Sequence, residues 1–173
     1  MRGMNIVLVG YRGTGKSTVA KILAARLQWP KANLDKMIVE KAGMSIPRMV
    51  EVYGWEFFRD EESKAVEKAS TMDRTIIDAG GGIVVRPHNI ELLRKNGFVV
   101  WLKADPKKII SRIKGDTNRP SLTGTQSFLE EIQEVLAERT PKYQAAAHVE
   151  INTNNLSPEK VAKKIIEELK RKN

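Results

Sequence analysis

Ile6-Val7-Leu8-Val9 is an unbroken apolar run, and Gly10-Tyr11-Arg12-Gly13-Thr14-Gly15-Lys16-Ser17 follows it directly. A run with no polar alternation predicts a strand, Asn5–Val9, buried on both faces as in a parallel sheet. The eight residues after it satisfy the G-x-x-x-x-G-K-[ST] pattern in the strand-to-helix context that pattern needs, with a helix predicted from about Lys16 to Leu27. Glycines let the backbone wrap phosphate oxygens, and the helix N-terminus favours negative charge. Gly13, Thr14, Gly15, Lys16, Ser17 and Thr18 are therefore the candidate triphosphate site. Lys16 would reach the β- and γ-phosphates and Ser17 would join the shell of Mg²⁺. An ordinary glycine turn would not also require Lys16 and Ser17 at these offsets. The pattern alone specifies only a nucleoside triphosphate.

Outward from this stretch, short β-branched runs alternate with longer amphipathic segments, the pattern of parallel strands joined by helical crossovers. Strands are predicted near Lys31–Leu34, Thr75–Asp78, Phe98–Lys103 and His148–Asn152. Helices are predicted over Asp35–Ala42, from an N-cap at Ser45 to Gly54, over Trp55–Ser70, Pro87–Lys95, from Asp105-Pro106 through Ile113, over Gln126–Ala146, and after Ser157-Pro158. Five strands with intervening helices make a three-layer α/β/α sandwich. The polar stretch Lys114–Thr125 is a candidate lid.

The chain has 173 residues, 41% of them hydrophobic, which is enough for one domain with its own core. It has no Cys, which excludes disulfides, zinc fingers and thiol nucleophiles and fits a reducing cytoplasm. No apolar run approaches the roughly 20 residues of a spanning helix, so no membrane role is expected. The net charge of +9, from 30 Lys+Arg against 21 Asp+Glu, suits a polyanionic ligand. A nucleic-acid partner is not expected, because Lys107-Lys108 and Lys170-Arg171-Lys172 carry no stacking aromatics.

Three features fall beyond strand ends, where ligands of open parallel sheets bind. Asp35 can accept from substrate hydroxyls or cap the following helix. Arg59, after Phe57-Phe58, can grip a carboxylate or pair with Glu56 or Glu62 at helical spacing. Gly80-Gly81-Gly82 offers bare backbone N–H groups or a simple turn. Arg139 can add a second guanidinium or be a solvated residue near a helix C-terminus, and Arg119 in the lid segment can close over a transferring phosphoryl group or be a lone surface arginine.

Together, Gly10–Thr18, Asp35 with Ile38, Gly43 and Ile46, Phe58-Arg59-x-x-Glu62, Gly80-Gly81-Gly82, Arg119-Pro120-x-Leu122 and Arg139-x-x-x-Tyr143 resemble the shikimate kinase family of P-loop kinases. The resemblance spans nearly the whole chain. It implies a five-stranded parallel sheet of order 2-3-1-4-5 in one domain over residues 1–173, with an acceptor segment near 35–62 and the lid near 114–125. It also implies ATP- and Mg²⁺-dependent phosphorylation of the shikimate 3-hydroxyl; a monomer in the cytoplasm is expected. Asp35, Arg59, Gly81 and Arg139 would hold the acceptor, with Gly80 and Gly82 beside them. Arg112 and Arg119 would touch ATP, and Lys16, Asp35 and Arg119 would act in catalysis.

Two positions depart from the family pattern. The family usually shows Asp-x-Asp where this chain has Asn33-Leu34-Asp35, and a small residue where it has Asp78. The expectation is that Asp78 takes over the metal-linked duty Asn33 cannot perform, acting through water; the alternative is that it caps the glycine turn. A kinase for gluconate or another sugar acid, and a non-catalytic ligand sensor of the same fold, are the competing readings.

Overall fold

A computed structural model describes residues 3–113 and 128–172. Its five strands, β1 (Asn5–Val9), β2 (Lys31–Asn33), β3 (Ile76–Asp78), β4 (Gly97–Lys103) and β5 (Val149–Asn152), pair in parallel in the order β2-β3-β1-β4-β5. This is the sheet expected from the sequence. The candidate lid Lys114–Thr125, with Arg119, lies outside the described residues.

Period-two alternation sorts each strand between two cores. Val7, Val9, Ile77, Val99 and Trp101 face helices α2 (Leu34–Ala42), α3 (Ile46–Ser70), α4 (Pro87–Lys95) and α6 (Phe128–Ala146), packing with Leu34, Phe58, Leu93 and Tyr143. Ile6, Leu8, Ile76, Phe98 and Val100 face α1 (Lys16–Leu27) and α7 (Pro158–Lys172), packing with Val19, Leu23 and Ile165. A smaller cluster of Tyr11, Ile109, Ile113, Ile132 and Val135 seats α5 (Pro106–Ile113) and α6 against the glycine loop.

Local chemistry sets the helix ends. Ser45 caps α3 by accepting from Arg48 N at 3.3 Å, and Pro47 sits in its first turn. Gly43 closes α2 in the left-handed conformation, φ 67°. The cap of α2 is Asn33, whose side chain accepts from Lys36 N, so Asp35 is in the first turn and is not the cap. Gly54 was expected to separate two helices. It does so: within α3 the backbone leaves the helical region at Gly54, at φ 86° and ψ 171°, and two helical stretches meet there across a kink. A single turn of 3-10 helix, Ile83–Val85, follows the three glycines.

Register fixes the site. Leu8 aligns with Asp78 across β1 and β3, and Asn33 with Asp78 across β2 and β3. The carboxyl ends of three adjacent strands therefore finish level, beside the loop that leaves β1.

His148, which the sequence places at a strand edge, precedes β5. Its Nδ1 accepts from Val99 N at 2.9 Å while its own N–H donates to Val99 O at 2.8 Å, and its ring stacks on Phe98. Burial, with Arg94 and Lys172 nearby, pushes the imidazole down to about 4. The unfolded chain thus binds a proton that the folded chain refuses between that value and the ordinary 6.5. Stability should rise with pH across this window and be lost on acidification. In His148→Gln, chemical denaturation between pH 4 and 6.5 should show a flatter pH dependence than the parent.

Candidate active site

The loop between β1 and α1 is built to leave donors exposed. Gly15, the N-cap of α1, lies at φ 95° and makes no side-chain cap bond, so the helix begins with backbone N–H groups directed to the crevice. Thr14 Oγ1 donates to Tyr11 O at 2.8 Å and braces the loop from within. Lys16, only 8% exposed, donates through Nζ to Gly10 O at 2.7 Å and Tyr11 O at 3.0 Å. The ammonium is thus held over the loop it is expected to serve.

Arg112 reaches the same loop from α5. It donates to Gly13 O at 3.2 Å, and to Thr153 Oγ1 and O at 3.1 and 3.0 Å. Thr153 is buried and also donates to Lys103 O at 2.9 Å, fastening the loop and α5 to the end of β4. Nothing in the sequence singles out Thr153, because its partners are far away along the chain.

A cavity of about 820 Å³ joins the two halves of the expected site. Gly13 through Thr18 and Arg112 line one side; Asn33, Asp35, Asp78, Gly80 and Gly81 line the other. Arg59, Gly82 and Arg139 do not line it. They are packed immediately behind.

Asp78 is the most constrained group in the cavity. At 4% exposure, its Oδ2 accepts from Ser17 Oγ at 2.6 Å and from Asn33 Nδ2 at 3.0 Å. Burial raises the carboxyl above its ordinary value, opposed by the charge of Lys16 and the Ser17 bond. Both of these partners are side chains of other elements, not backbone N–H groups of the glycine turn. Ser17 and Asp78 are hard oxygen donors of the kind Mg²⁺ accepts beside nucleotide phosphates. Among the described residues no group of three or more His, Asp or Glu could hold a metal.

Of the two readings of Arg59, the structure shows the pair at helical spacing. Its Nη1 pairs with Glu62 at 2.8 Å, three residues on along α3, and both side chains are buried. The guanidinium is also flanked by the rings of Trp55 and Phe58, at 5.5 and 5.4 Å. It lies against Gly82, where a Cβ atom would stand 2.0 Å from Nη1. That close approach is what requires glycine there.

Arg139, 7% exposed, bonds the Tyr143 hydroxyl region one turn along α6. Tyr143 donates to Gly81 O, stacks on Trp101 and is pushed by burial up to about 12, so it remains a neutral donor. Tyr143 thus ties Arg139 to the glycine strip, a role that the spacing of Arg139 and Tyr143 alone does not reveal. The glycine strip thus meets Arg59 at Gly82 and, by way of Tyr143, is linked to Arg139 at Gly81.

Comparison with known proteins agrees with this arrangement. A model of the shikimate kinase family matches residues 12–170. The shikimate kinase of Caldanaerobacter subterraneus is 41% identical, with 94% of each chain covered, and that of Caldicellulosiruptor bescii is 39% identical, with 94% of this chain and 93% of the relative covered. A solved shikimate kinase from Acinetobacter baumannii, in complex with shikimate, superposes with a TM-score of 0.93 at 31% identity over 99% of this chain and 95% of the other. The Aquifex aeolicus enzyme superposes at 0.81, with 27% identity over 98% of both chains. With the family model matching most of the chain and the first two relatives 41% and 39% identical over nearly their whole length, the chain belongs to the shikimate kinase family.

Proposed function

We propose that this chain transfers the γ-phosphoryl group of ATP to the 3-hydroxyl of shikimate, with Mg²⁺ accompanying the nucleotide. The observation that carries the reading is the shared cavity: a complete phosphate loop faces Asp35, Gly80 and Gly81 across one crevice, with Arg59 and Arg139 behind the glycines. An acceptor with a carboxylate and several hydroxyls fits that distribution of charge. The relative crystallised with shikimate supports the choice of acceptor.

The chemistry is in-line displacement. The acceptor oxygen forms a bond to the γ-phosphorus as the bond to the ADP oxygen breaks, and the hydroxyl proton passes to Asp35 or to the transferred phosphoryl group. A loose transition state demands positioning and charge neutralisation more than a strong base. Lys16 exchanges the carbonyls of Gly10 and Tyr11 for phosphate oxygens, and the N–H groups of the Gly13–Ser17 segment hold the β-phosphate. Arg112 holds the loop to α5 at the nucleotide side. Arg59 and Arg139 take the acceptor carboxylate, and Asp35 orients the hydroxyl. Bound Mg²⁺ would neutralise phosphate charge, with Ser17 as its protein ligand.

Coupled ADP release should appear with MgATP and shikimate and be absent with gluconate or quinate; turnover of gluconate in place of shikimate would overturn the reading. Lys16→Ala should lower kcat by at least about a hundredfold. Arg59→Ala should raise KM for shikimate about tenfold or more while KM for ATP changes less than about twofold. Gly82→Ala, which drives a methyl group into the Arg59 guanidinium, should reproduce the Arg59→Ala pattern with ADP binding intact.

A further inference from the structure

Asn33 and Asp78 stand opposite each other in the register of β2 and β3. The Asn33 amide is engaged at both ends, with Oδ1 accepting from Lys36 N at 2.9 Å and Nδ2 donating to Asp78 Oδ2 at 3.0 Å. With its oxygen committed to the cap of α2, the amide can present only its NH₂ group to the neighbour. The same Asp78 oxygen accepts from Ser17 Oγ at 2.6 Å. A continuous chain of bonds therefore runs from the α2 cap through Asn33 and Asp78 to the phosphate loop.

Two carboxylates at this 3.0 Å separation would repel, and one would be driven to take a proton. An amide facing a carboxylate instead leaves one full negative charge, aimed by its partner. The Ser17 hydroxyl donates its proton to that charge and keeps its oxygen lone pairs for a cation.

We propose that Asn33 and Asp78 act as one unit: Asp78 orients Ser17 and accepts from water around the nucleotide-bound Mg²⁺, and Asn33 is the positioning residue that holds Asp78 in place. The unit needs one carboxylate across the pair, and the pairing geometry allows that carboxylate on either strand. This rests on the nucleotide half of the function proposed above and not on the identity of the acceptor.

The test uses ADP and metal alone. ADP affinity is measured by calorimetry with Mg²⁺ and with a chelator, and the ADP-dependent Mn²⁺ site is read by electron paramagnetic resonance. Asp78→Asn should lose about tenfold in the Mg²⁺-dependent gain of ADP affinity, with the metal-free affinity within about twofold of the parent. The exchanged variant, Asn33→Asp with Asp78→Asn, should recover most of that gain and the Mn²⁺ signal. Should Asp78→Asn not fold, as judged by thermal melting, Asp78→Ser replaces it, alone and with Asn33→Asp, and is read in the same way. A single variant that keeps the parent's Mg²⁺ gain, one that loses ADP affinity equally with and without metal, or an exchanged variant that recovers nothing would each overturn the proposal. Failure to phosphorylate shikimate would overturn the function while leaving these readouts unchanged.

Discussion

The level ending of β2, β3 and β1 is the constraint on which the site depends. Parallel pairing puts Asn33, Asp78 and the start of the glycine loop at one end of the sheet. A shift of one residue in β3 would turn Asp78 away from Ser17 and send Ile77 into the polar crevice. The register is held by burial on both faces, since Ile76 and Ile77 belong to opposite cores. Each such side chain contributes about 1.5–3 kcal/mol when fully buried. Apolar packing thus fixes the coordinates of polar groups that would not hold themselves together.

The buried charges behind the glycines have a different purpose. An ion pair such as Arg59–Glu62 gains little net stability once both ions lose water, and removing one partner strands the other. Its value lies in preorganisation. Glu62 fixes the guanidinium within a wall of Trp55 and Phe58, and Gly82 leaves the space it occupies. Tyr143 does the equivalent for Arg139 through its bond to Gly81 O. On the proposed function, an acceptor carboxylate that reaches these groups would meet side chains whose conformational freedom is already spent.

Strand positions, helix starts and the phosphate loop were legible because their signals are local: apolar runs, caps such as Ser45 and Ser157, and the offsets of Lys16 and Ser17; the strand order came only with the family resemblance. Arg59 with Glu62 was half legible, since helical spacing announces the pair but not its burial or its approach to Gly82. The bond between Ser17 and Asp78 spans 61 positions, and that between Arg112 and Thr153 spans 41; no spacing rule reaches so far. Asn33 was read as a lost carboxylate, and only the structure adds that it caps α2 and holds Asp78. Gly54 was legible as a stop because glycine readily leaves the helical region, and the backbone of α3 does so there.

A crystal structure with ADP, Mg²⁺ and shikimate tests the shared crevice most directly. The account predicts the shikimate carboxylate on Arg59 and Arg139, one hydroxyl on Asp35 and facing the β-phosphate of ADP, and that phosphate within the Gly13–Ser17 loop. Shikimate bound away from the glycine strip, or with its carboxylate touching neither arginine, would contradict it.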